Sequence, residues 1–175
     1  HSFYEKVSLV SHSSYVFKGS LRENMTMAKV DATDEQIYAY LEQVNLAQFV
    51  RDNGGLDMPL LSRGANLSGG QIQRLALARA LLHNAALYIF DEATSNIDVE
   101  SEEIILQFIQ QFKQQKTIVM ISHRLANAVN ADCINVLEQG KLIEQGTHKE
   151  LMAKQGAYAE MFQQQKDKLQ KKQHG

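Results

Sequence analysis

The sequence holds a single cysteine, Cys133, so no internal disulfide can form, and a lone thiol fits a reducing compartment. Apolar runs are short, and none approaches the roughly 20 residues of a membrane span. The opening residues HSFYEKVSLV lack the pattern of a secretory signal. Charge of one sign is also missing. The net charge is −2, which excludes a global basic field for nucleic acid. Proline is nearly absent, and Pro59 falls in a stretch that also carries Gly54, Gly55 and Gly64. That stretch, Asp52 to Leu67, reads as a long connection, and long connections tend to carry function.

What is present is an ordinary globular composition, 44% hydrophobic and 22% charged over 175 residues. It suffices for one domain with a core, or for most of a larger one. Val7 to Val10 reads as a strand and Ser11 to Ser14 as a loop. Asp34 to Val50 reads as one helix capped by Thr33. Gln71 to His83 is a helix with Leu75, Ala78 and Leu82 on a buried stripe. Ala86 to Phe90 and Thr117 to Ile121 are unbroken apolar runs, the mark of strands buried on both faces of a parallel sheet. Val99 to Phe112 is the helix between them. Cys133 to Leu137 and Lys141 to Glu144 read as strands around a Gln139-Gly140 turn, followed by helices at His148 to Ala153 and Ala157 to Gln165. Residues 166–175 read as a polar, basic, frayed tail. The alternation predicts an α/β fold with a parallel sheet, whose ligands sit at the carboxyl ends of the strands.

Three features gather chemistry. Asn66 to Leu81 reads NLSGGQIQRLALARAL, with Ser68-Gly69-Gly70-Gln71 at the point where a helix begins. A helix start presents unpaired N–H groups and the positive dipole end, and glycines let a phosphate approach them closely. A plain serine cap is the structural alternative. Second, the run Ala86 to Phe90 ends on Asp91-Glu92. Carboxylates there are costly unless used, one to hold Mg²⁺ and another to orient or deprotonate water. Third, Thr117 to Ile121 ends on Ser122-His123, and a histidine there suits a γ-phosphate.

LSGGQ, then ALYIFDEATSNID, then TIVMISHR, resembles the ATP-binding-cassette (ABC) ATPases, and most closely the exporter type. The resemblance covers Val7 to Gln165 and includes YVFKGSLRENM (Tyr15 to Met25) and the segment Gly140 to Phe162. It implies an ABC-type P-loop NTPase fold, with a helical signature subdomain at about 19–85 and the rest of 1–165 an α/β core. Leu67, Ser68, Gly69, Gly70 and Gln71 resemble the signature loop, whose serine and glycine amides hold the γ-phosphate of ATP on a second subunit. Asp91 resembles the Walker B aspartate acting on Mg²⁺, Glu92 the catalytic base and His123 the switch histidine. Ser95 to Asp98 resembles the loop that crosses the dimer interface. His12 stands where the family has a glutamine that senses Mg²⁺, and Leu61-Ser62 stand where exporters carry Gly-Glu.

No GxxxxGK[ST] run occurs anywhere in the chain. The expectation is therefore a C-terminal portion of such a domain, inactive alone, from a parent that hydrolyses Mg²⁺-ATP. The implied partners are a second ABC ATPase domain, head to tail, and a membrane-spanning domain, with no nucleic acid. The implied location is the cytoplasmic side of the cell membrane. Two other readings stand beside it: a soluble ABC-type ATPase acting on nucleic acid or ribosomes, and a regulatory, non-hydrolysing subunit.

Overall fold

The computed structural model describes residues 6–173, in two compact units, His1–Ile121 and Ser122–Gly175. In the first unit, β1 (Val7–Ser11), β4 (Leu87–Asp91) and β5 (Thr117–Ile121) form a parallel sheet in the order β1-β4-β5. The register aligns Leu9 with Ile89 and Val119, and Ser11 with Asp91 and Ile121. A two-stranded sheet pairs β2 (Gly19–Ser20) with β3 (Pro59–Leu60). The helices of this unit are α1 (Leu21–Thr26), α2 (Asp34–Gln43), α3 (Ala47–Asp52), α4 (Gly69–His83) and α5 (Val99–Phe112).

The parallel strands fall where the apolar runs predict them, but the expectation of burial on both faces is corrected. One face is covered: Val10, Tyr88 and Phe90 are buried, and Phe108 of α5 packs on Tyr88 at 5.3 Å and on Phe90 at 5.8 Å. Each such aromatic or aliphatic side chain contributes roughly 1.5–3 kcal/mol by leaving water. The other face is open, with Leu9 63%, Val119 46% and Ile121 49% exposed. Strand side chains alternate, so this set shares one face, on which Leu87 and Ile89 of β4 are partly buried.

The expected helix Asp34 to Val50 is two helices. Asn45 takes a left-handed conformation (φ 53°), and Leu46 N–H then donates to the Leu41 carbonyl at 2.8 Å. Asparagine tolerates that region better than most residues. The helix α1 went unpredicted, although its Ser20/Glu23 capping box is readable as a start signal. The connection 52–67 contains short 3₁₀ turns at Gly55–Asp57 and Ser62–Gly64. Gly64 (φ 68°) lies where an added Cβ would meet Ile72 Cγ1 at 3.0 Å, so backbone and space both require glycine.

In the second unit, β6 (Ile134–Glu138) and β7 (Lys141–Gly146) form a hairpin, followed by α6 (His148–Lys154) and α7 (Ala157–Gln173). Val136, Leu151 and Tyr158 form its core. The tail expected to fray continues α7 as helix to Gln173. Among the described residues, no helix is long and apolar enough to cross a membrane.

Candidate functional site

The start of α4 is closed by a capping box. Ser68 Oγ accepts from Gln71 N–H at 3.1 Å, and Gln71 Oε1 accepts from Ser68 N–H at 2.8 Å. Leu67, partly buried against the core, donates its N–H to the Gly64 carbonyl at 2.8 Å. Gly69 and Gly70 occupy the first turn, where amides have no intrahelical acceptor. Among the described helices of eight or more residues, α2, α5 and α7 carry acidic residues in the first turn, whereas α4 carries none. Its positive end is therefore unmatched by its own sequence.

The Ser95–Asp98 loop lies against this start. A Cβ on Gly70 would collide with Asp98 Oδ2 and meet Ser101 Oγ at 2.5 Å, and one on Gly69 would find only the Asn96 carbonyl, at 3.9 Å. Asp98 is the N-cap of α5: Oδ1 accepts from Ser101 N–H at 2.9 Å and Oδ2 from Ser101 Oγ at 2.8 Å. The Ser101 N–H, chiefly, holds the Asp98 carboxyl below the usual carboxylate range. Ser95 N–H donates to the Glu92 carbonyl at 2.9 Å.

At the strand ends the structure brings His12, Asp91 and Glu92 together. His12 N–H donates to the Asp91 carbonyl at 3.1 Å, one step beyond the ladder between β1 and β4. Glu92 N–H donates to the Ile121 carbonyl at 3.0 Å. Glu92 is left-handed (φ 50°), an uncommon state for a non-glycine residue and one concentrated at functional sites. His12 is exposed, and Asp91 and Glu92 are partly buried. His123, the second residue after β5, belongs to the second unit. There its carbonyl accepts from Gln165 Nε2 at 2.6 Å, while Leu125 N–H donates to Gln165 Oε1 at 3.0 Å.

Sequence reading missed two residues of α4. Gln73 Nε2 donates to the carbonyls of Ser11 (2.9 Å) and His12 (2.8 Å), and Arg79 Nη2 to that of Tyr15 (2.7 Å). Burial pushes the Arg79 guanidinium below its ordinary pKa. A polar residue on the stripe shared with Leu77 and Ala80 was the available signal for Gln73.

Among the described residues, no three His, Cys, Asp or Glu side chains gather as a metal cage. One carboxylate at a strand end nevertheless fits Mg²⁺, which is held by one or two carboxylates together with phosphate oxygens and waters. Asp91 would be that donor.

Comparison with known proteins identifies the family. The family model described as ABC transporter matches residues 1–95, more than half of the chain. The chain belongs to the ABC transporter family. An ABC transporter ATP-binding protein of Haemophilus influenzae, itself uncharacterized, is 95% identical over 166 residues, covering 95% of this chain and 30% of that protein. A putative multidrug export ATP-binding/permease protein of Staphylococcus aureus is 38% identical over 162 residues, covering 92% of this chain and 28% of its own length. The solved structure of a bacterial Atm1-family ABC exporter with ATP bound superposes with a TM-score of 0.85 at 34% identity, over 92% of this chain and 28% of that one. The chain thus spans less than a third of the length of these relatives, and its α/β fold with a parallel core sheet is theirs.

Proposed function

We propose that this chain serves in the ATP-hydrolysing domain of an ABC exporter, on the cytoplasmic side of a membrane, paired head to tail with a second such domain. The observation that carries the reading is the start of α4, with its glycine pair, capping serine and absence of first-turn acid against the Ser95–Asp98 loop. The Ser68 hydroxyl and the Gly69 and Gly70 amides would hold the γ-phosphate of ATP bound to the partner domain. Residues Ser95 to Asp98 would cross to that partner. In the chain's own site, Asp91 would hold Mg²⁺ and His12 would reach one of its waters. Bound there, Mg²⁺ supplies charge neutralisation to the phosphates. Glu92 takes a proton from water as its oxygen attacks the γ-phosphorus. The bond to the β-phosphate oxygen breaks, giving ADP and phosphate. A membrane-spanning domain would complete the exporter, and nucleic acid is not a partner. By itself the 175-residue chain, without a GxxxxGK[ST] run, is expected not to turn over ATP.

The test is a chimaera in which this chain replaces the matching region of the Haemophilus influenzae relative. Glu92→Gln should reduce turnover by about a hundredfold or more while ATP binding persists. Normal turnover in that variant would remove Glu92 from the role of base.

A further inference from the structure

Gln73 is 2% exposed, among the leucines and alanines that α4 buries. Both groups its Nε2 meets are carbonyls, 62 and 61 residues away in sequence. Carbonyls only accept, so the amide orientation is fixed with nitrogen towards the loop. Oε1 then lies buried without a hydrogen-bond partner among the described residues. Packing alone would be served better by leucine or methionine, which strand no acceptor.

The grip falls on one residue. The His12 N–H is held by the Asp91 carbonyl at 3.1 Å, and the His12 carbonyl by Gln73 at 2.8 Å. Ser11, the other partner, is the last residue of β1 and pairs with Asp91. The helix runs unbroken from Gly69 through Gln73. The distance along its axis from Ser68 to Gln73 is about 7.5 Å. No flexible joint separates the first turn of α4 from the backbone beside Asp91.

We propose that Gln73 is a positioning residue that fixes the His12 backbone to α4, so that movement of the helix start is passed to His12 beside Asp91. This rests on the reading above that Ser68 to Gly70 meets a phosphate and that His12 faces Mg²⁺ bound by Asp91. Hydrolysis then depends on Gln73 through the placing of His12. Gln73 itself touches no substrate.

The test uses the same chimaera with Gln73→Met, which keeps the length and removes both donors. Hydrogen exchange of residues 10–17 should accelerate about tenfold, with residues 87–91 unchanged as the internal reference. The Mg²⁺ concentration giving half-maximal ATPase should rise about threefold, and Gln73→Met should add nothing when His12→Ala is already present. Unchanged exchange at residues 10–17 overturns the proposal. So does equal acceleration in residues 87–91, which makes Gln73 a packing residue, and so does a Mg²⁺ shift of the same size with and without His12. If the unsubstituted chimaera fails to bind Mg²⁺-ATP, the ATPase reading falls, and the exchange comparison still decides whether Gln73 holds the loop.

Discussion

The helices α2 and α4 begin with the same device. Thr33 and Gln36 close one box, Ser68 and Gln71 the other. The turns that follow differ. In α2 the first turn carries Asp34 and Glu35, and Asp34 is paired with Arg22. In α4 the corresponding places hold Gly69 and Gly70, and the Asp98 carboxylate nearby is already engaged by Ser101. One helix start is finished by its own charges, while the other keeps its dipole and its space for something from outside. Capping chemistry alone therefore does not mark a phosphate site. The empty first turn behind the cap is what the proposed phosphate site rests on.

The largest expected effect comes from making α4 resemble α2. Gly69→Asp meets open space apart from the Asn96 carbonyl, so the fold should tolerate it and gain about 0.3–1 kcal/mol from the dipole. In the chimaera the same carboxylate should weaken ATP-driven association of the two domains by about a hundredfold, because like charges placed together cost several kcal/mol. Sedimentation with ATP reads this, and undiminished association would dissolve the distinction between the two helix starts.

Gly70→Ala tests the steric half of the comparison. Its methyl must displace Asp98 or Ser101, at about 1–3 kcal/mol of stability in denaturant unfolding. The matching change in α2, Glu35→Ala, removes an exposed side chain and should be small beside it. Equal losses would mean that Asp98 yields without cost.

Ser68→Ala and Thr33→Ala should each cost about 1 kcal/mol of stability. Nucleotide-driven association should fall only with Ser68→Ala, which separates cap from site.

The smallest effect is that of acid. Glu35 is held below the usual glutamate range, chiefly by its own backbone N–H and then by Thr33. Its contribution is present above the unfolded pKa and is lost as pH falls through the lower, folded value. Ser68 and Gln71 do not titrate. Acidification should therefore speed exchange of the Gln36 amide before that of Gln71, and simultaneous loss would contradict the assignment.

Much of this was readable in the sequence, for local reasons. The runs 86–90 and 117–121, the glycine pair after Ser68 and the acidic pair after Phe90 are contiguous signals, and each element appeared in place. Side-chain burial was less accessible, because an apolar run states what a strand can bury and not what covers it. Leu9, Val119 and Ile121 show the difference. The break at Asn45 turned on a single backbone angle, and the hold of Gln73 on Ser11 on partners 62 residues apart. The stripe position of Gln73 marks it as unusual, but neither the angle nor the distant partners leave a periodic trace.

The left-handed backbone of Glu92 sets a conflict for directed evolution. Glycine or asparagine would occupy φ 50° with less strain, by roughly 1 kcal/mol. A library of the chimaera screened for heat resistance alone should thus drift away from glutamate at position 92, and, with Glu92 in the proposed role of base, one screened for turnover should return to it. Thermostable descendants of the chimaera would then be enriched in inactive ones through a single codon.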